Sequence, residues 1–133
     1  MNNKILIVLS NYYEEISDNL LSGTIEEINN HNNIEYEIVY APGSFEIPYL
    51  IKKNIEKFDG FIALGCIIRG ETYHFELIAN ECSRKIMDIS SKYLKPIGFG
   101  ILTCENVEQA IIRSDKSKKN KGREAALACI KLL

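Results

Sequence analysis

The sequence predicts a three-layer α/β/α sandwich built on a four-stranded parallel sheet. Three observations predict it. Short apolar runs of strand length alternate with segments whose apolar residues recur at helical spacing. The order is β-α-β-α-β-α-β-α with short connections, the signature of right-handed crossovers between parallel strands. The runs Ile5–Leu9 and Phe61–Ile68 are nearly continuous in apolar residues, as strands covered on both faces should be. A chain of 133 residues fits one domain over 1–133.

Taken in order, Ile5–Leu9 is the first strand, and Ile16, Leu20, Leu21, Ile25 and Ile28 mark one face of a helix over 14–30. The cluster Asn29-Asn30-His31-Asn32-Asn33 ends it. Ile34–Tyr40 alternates apolar and polar residues and reads as a half-exposed edge strand. After the loop Ala41–Ser44, a second helix carries Ile47, Leu50, Ile51 and Ile55, with Pro48 tolerated in its first turn. Asp59-Gly60 is a turn before the central strand. A third helix carries Phe75, Ile78, Ala79, Cys82, Ile86 and Ile89, and Ile97–Leu102 is the fourth strand. Asn106-x-x-Gln109 has the form of a capping box opening a fourth helix. A lysine-rich stretch precedes a last helix over Arg123–Leu133.

Composition excludes several classes. The formal net charge of -2 lacks the basic excess of a general nucleic-acid binder. No apolar run approaches the ~20 residues needed to span a bilayer, and the N-terminus shows no secretory leader pattern. Cys66, Cys82, Cys104 and Cys129 form no C-x-x-C pair and sit among apolar residues, which suits reduced, buried thiols in a cytoplasmic protein. With two histidines and no carboxylate cluster, no metal site is expected. There is no G-x-x-x-x-G-K-[ST], and Gly98-Phe99-Gly100 lies inside a strand, so neither a P-loop nor a dinucleotide fingerprint is present.

In parallel α/β sheets, ligands bind outside the carboxyl ends of the strands. After the first strand come Ser10-Asn11-Tyr12-Tyr13, tyrosines that either stack on a planar ring or cap the core rim. After the second, Ala41-Pro42-Gly43-Ser44-Phe45-Glu46-Ile47-Pro48 is either a plain turn or a cradle of backbone N–H groups for an oxygen-rich ligand. After the third, Arg69-Gly70-Glu71-Thr72-Tyr73-His74 offers close backbone approach at Gly70, a hydroxyl at Thr72 and a proton shuttle at His74. Glu71 counts against a simple anion site there. Beyond the fourth strand, Arg113, Lys116, Lys118, Lys119, Lys121 and Arg123 form either a solvated basic face or a phosphate clamp centred on arginine.

Several of these segments resemble the 6,7-dimethyl-8-ribityllumazine synthase family. Pro42-Gly43-Ser44-Phe45-Glu46-Ile47-Pro48 resembles its P-G-[AS]-[FWY]-E-[IL]-P signature. Ala63–Glu76 with its I-R-G-x-T-x-H core, Asn80-Glu81, Phe99–Thr103, Asn106, Glu108-Gln109-Ala110, Arg113 and Asn120–Ala126 follow in register. The resemblance implies a flavodoxin-like fold and the penultimate step of riboflavin synthesis. In that step 5-amino-6-(D-ribitylamino)uracil condenses with 3,4-dihydroxy-2-butanone 4-phosphate, releasing phosphate and water, without metal or organic cofactor.

Position by position, the resemblance implies that Tyr12 stacks on the pyrimidine. Ser44, Phe45 and Glu46 hold its ring and ribityl chain, with Cys66, Ile67 and Ile68 along it. Glu71 and Thr72 contact the phosphorylated ketone, and His74 is the proton donor. Phe99, Arg113 and Lys121 match residues that reach in from a neighbouring subunit, Arg113 to the phosphate and Lys121 near the pyrimidine. This implies a homo-oligomer, expected as a pentamer with shared sites, and riboflavin synthase as a candidate partner. Asn11-Tyr12-Tyr13 departs from the family's more usual R-[FW]-N. The short lead into the first strand favours a free pentamer over a closed shell. The competing readings are a family member that binds without turnover and a flavodoxin-like carrier or signalling domain; the latter lacks an acceptor carboxylate cluster.

Overall fold

The computed structural model describes residues 2–133. In it β1 (Asn3–Ser10), α1 (Glu14–Asn29), β2 (Ile34–Ala41), α2 (Ile47–Lys53), β3 (Gly60–Ile68), α3 (His74–Tyr93), β4 (Ile97–Cys104), α4 (Val107–Ser114) and α5 (Lys121–Ile130) follow in sequence. A single 3-10 turn, Ser44–Glu46, precedes α2. All pairings are parallel and the strand order is β2-β1-β3-β4.

The pleat sends alternate side chains to opposite faces. Ile5, Ile7 and Leu9 of β1 and Ile62 and Leu64 of β3 pack with α1, α4 and α5. Leu6 and Val8 with Phe61, Ala63 and Ile67 pack with α2 and α3. Both central strands are covered on each side, hence their unbroken apolar runs. β2 lies at an edge and alternates in exposure as its sequence predicts. On β4 the small size of Gly98 lets α5 lie directly on the sheet: a Cβ there would fall 2.8 Å from the Ala125 carbonyl carbon.

Several predicted boundaries move, each for a local reason. Gly60 belongs to β3 rather than to a turn, because Asp59 already pairs with Lys4 through both backbone and carboxylate, each at 2.8 Å. Helix α2 stops before Ile55, where the Asn54 side-chain amide donates to the Leu50 carbonyl at 2.8 Å. The capping box is half-made: Asn106 Oδ1 accepts from the Gln109 N–H at 2.9 Å, but Gln109 Oε1 accepts from the Glu105 N–H instead of that of Asn106. Helix α5 starts at Lys121, earlier than predicted, because left-handed Asn120 (φ 46°) caps it through the Arg123 N–H. It ends at Ile130 and leaves Lys131–Leu133 exposed.

Candidate functional site

Winding reverses between β1 and β3, and ligand clefts in such sheets open where that happens. A cleft of about 400 Å³ lies there, walled by the segments that follow β1, β2 and β3.

From β1 come Ser10, Tyr12 and Tyr13. Tyr12 is 74% exposed and stands edge-on to Tyr13, with ring centroids 5.0 Å apart. Tyr13 is half-buried against the core, and its hydroxyl pKa is raised, first by burial and then by Cys66 and Tyr12. The two readings of the tyrosine pair therefore divide. Tyr13 caps the core rim, and Tyr12 projects and is free to stack.

From β2 come Pro42 to Glu46. Phe45 is 56% exposed although it sits in an ordered turn. Ser44 beside it is buried, and its Oγ has no hydrogen-bond partner among the described residues. The turn rests on Gly65 of β3, where a Cβ would meet Ser44 Oγ at 2.8 Å. The Ser44 carbonyl accepts from Cys82 Sγ at 3.2 Å, pinning the turn to α3. A buried, unbonded hydroxyl is costly unless something satisfies it, and a polyhydroxyl ligand in the cleft can.

From β3 come Cys66, Ile67 and Ile68, and from α3 His74 and Ile78. Burial, ahead of nearby Cys104, pushes the Cys66 thiol up to about 12, so it is an apolar wall and not a nucleophile. His74 is exposed at the first position of α3, and its backbone N–H donates to Thr72 Oγ1 at 3.4 Å. Glu71 and Thr72 are exposed and lie just outside the cleft lining.

Phe99, Arg113 and Lys121 do not line this cleft. Phe99, 44% exposed on edge strand β4, lines a separate groove of about 440 Å³ with Ile86, Met87 and Ile97. Arg113 lies in the last turn of α4, where its Nη1 donates to the Gln109 carbonyl at 3.1 Å. Its charge pulls the Cys104 thiol downward, but burial outweighs it and leaves that thiol raised. Lys121 opens α5 and pairs with Glu124 at 3.2 Å.

Ile78 reaches the cleft although its sequence period marks it only as core. Another feature missed at sequence level is an ion-pair cluster around Arg69, which binds Glu76 and Glu105. An arginine directly after a buried strand was its one signal. Among the described residues no three His, Cys, Asp or Glu side chains gather as a metal-binding group. None of the helices described is long and apolar enough to cross a membrane.

The family model for 6,7-dimethyl-8-ribityllumazine synthase matches residues 2–133. The 6,7-dimethyl-8-ribityllumazine synthase of Ruthia magnifica subsp. Calyptogena magnifica is 45% identical, covering 98% of this chain and 83% of that protein. Its counterpart in Bartonella bacilliformis is 44% identical, covering 99% and 91%. That of Bartonella tribocorum is 46% identical, covering 96% and 88%.

Proposed function

The chain belongs to the 6,7-dimethyl-8-ribityllumazine synthase family, and we infer that it condenses 5-amino-6-(D-ribitylamino)uracil with 3,4-dihydroxy-2-butanone 4-phosphate in the penultimate step of riboflavin synthesis. The observation that carries the reading at the level of the site is the switch-point cleft. It joins exposed aromatic rings, an unsatisfied buried hydroxyl and an imidazole in one space.

In the proposed arrangement Tyr12 and Phe45 hold the flat pyrimidine, and the Ser44 hydroxyl and the backbone of its turn take the ribityl oxygens. Glu46 contributes at the same turn, and Cys66, Ile67 and Ile68 form the apolar wall. The 5-amino nitrogen attacks the ketone carbonyl, and loss of water gives an imine. His74 supplies and removes the protons that water loss and phosphate departure require. A proton leaves C3 as phosphate departs from C4, and the resulting enol tautomerises to a C3 carbonyl with a C4 methyl group. The ribityl-bearing nitrogen closes the second ring on that new carbonyl with loss of water. Thr72 and the Gly70 backbone face the phosphorylated ketone, Glu71 stands beside them, and Arg113 supplies the guanidinium fork for phosphate.

We place Phe99, Arg113 and Lys121 in the cleft of an adjacent subunit. Their location outside the chain's own cleft supports this, as does the apolar groove around Phe99 and Met87 on an open sheet edge. A head-to-tail contact of this kind repeats until a ring closes, and a pentamer is the ring we propose. Four free, buried cysteines support a reducing, cytoplasmic setting. Riboflavin synthase is the proposed enzyme partner.

The test mixes both substrates with the protein and follows the absorption and fluorescence of the lumazine. Sedimentation at assay concentration accompanies it. Product formation by a ring supports the whole reading, and a fully active monomer refutes the shared site. A family member that binds but does not turn over would show ligand binding with no new band; the presence of both His74 and Arg113 favours turnover.

A further inference from the structure

We propose that Arg69 is a positioning residue for this reaction, tethering the segment that carries His74 to the start of α4. The proposal rests on the synthase reading above. Arg69 is the first residue beyond β3, and its N–H continues the sheet ladder to the Cys104 carbonyl at 2.9 Å. Its Nε donates to both oxygens of Glu105, at 2.8 and 3.1 Å. Its Nη1 donates to Glu76 in the first turn of α3. The guanidinium also lies 4.4 Å from the centroid of the buried Phe75 ring. One side chain thus joins the strand end, the β4–α4 loop and the helix that begins at His74.

Little else holds that segment. Gly70 has open space around it, and Glu71, Thr72, Tyr73 and His74 are exposed. Among the described residues, the only side-chain hydrogen bond within Gly70–His74 is the local one from the His74 N–H to Thr72. The far end of the tether is fixed in turn, because the Glu105 N–H donates to Gln109 Oε1 at 2.8 Å. Without the Arg69 side chain the exposed loop and the first turn of α3 lose the ion-paired link that joins them to the neighbouring strand–helix connection. A misplacement of ~1 Å in a reacting group can cost ~10²-fold in rate.

Arg69 has a competing role to exclude, that of a direct phosphate ligand. Two of its nitrogens already face carboxylates, and these partners hold its pKa above the ordinary arginine value, Glu105 ahead of Glu76. Its charge is spent inside the protein. The two roles make opposite forecasts for Glu105→Gln. Freeing a phosphate ligand would lower KM for the phosphorylated ketone, whereas cutting a tether would lower kcat.

The experiment compares wild type, Arg69→Gln, Glu105→Gln and the double variant in steady-state lumazine formation, with thermal melts at matched concentration. Arg69→Gln should lower kcat about 10-fold or more, given the sensitivity of catalysis to placement. KM for the pyrimidine should stay put, and the melting temperature should barely move, since exposed ion pairs add little stability. Glu105→Gln should lower kcat in the same direction. The double variant should be no worse than Arg69→Gln, because both changes cut one link. Arg69→Lys keeps charge but not the fork, so it should fall between wild type and Arg69→Gln. Unchanged kcat, additive losses, or a tighter ketone KM in Glu105→Gln would overturn the proposal. A wild type that forms no lumazine defeats the synthase reading; an active wild type with unaffected variants defeats only the role of Arg69.

Discussion

Gly70→Ala separates what the fold needs from what a ligand needs. None of the described glycines has positive φ, so an alanine at position 70 meets no left-handed backbone. Among the described residues, apart from Gly70 itself and its two chain neighbours, no heavy atom lies within 4 Å of where its Cβ would stand. The folded state therefore has no reason to resist the methyl group. The unfolded chain loses conformational freedom, which should stabilise the protein by about 0.4–1 kcal/mol. For a chain of 133 residues that is a rise in melting temperature of roughly 1–4 °C. The ligand-bound state is different if phosphate approaches the backbone here, because the methyl group would stand beside the N–H that phosphate needs. Losing one hydrogen bond to a charged group costs about 1.5–3 kcal/mol, or roughly 10- to 100-fold in KM for the phosphorylated ketone. The assay varies that substrate at saturating pyrimidine and reads lumazine fluorescence. Melts run at matched protein concentration, since assembly shifts apparent stability. A fall of several degrees would show that the fold itself requires Gly70. An unchanged KM would show that phosphate does not come near it. Either result refutes the reasoning.

His74→Ala should lower kcat by about 10²–10⁴-fold while the pyrimidine still binds, checked by steady-state kinetics and ligand titration; an unchanged rate removes His74 from the mechanism. Arg113→Lys should raise KM for the phosphorylated ketone and leave pyrimidine affinity intact, because an ammonium cannot reproduce the guanidinium fork. Loss of pyrimidine affinity would assign Arg113 elsewhere. The thiols set an alkaline limit. Burial raises Cys66 and Cys129 to about 12, so in the folded protein they keep protons that the unfolded chain releases from about pH 9 upward. The unfolded state then binds fewer protons, and stability falls as pH rises through this window. Urea midpoints at pH 8 and pH 10 should show the drop, and native thiols should alkylate slowly at pH 8 and quickly once unfolded.

The elements, and the end of the sheet at which to look, are legible in the chain's local patterns. Those features are local. A period of two or of 3.6 residues, a proline in a first helical turn and a cap at Asn106 are each set within a few neighbouring positions. The family signature likewise named Ser44, Phe45, Glu46 and His74, which the tertiary structure brings to one cleft. Long-range packing set the strand order β2-β1-β3-β4, and with it the place where the winding reverses. It also decided that Tyr12 projects while Tyr13 packs, and that Ser44 is left with an unsatisfied hydroxyl over Gly65. Phe99, Arg113 and Lys121 fell outside the cleft, because its walls come from the segments after β1, β2 and β3 and from α3. Arg69 and Glu105 are 36 residues apart in the chain. No local pattern encodes a contact at that distance, because it exists only once β3 and β4 have paired and set their two ends side by side.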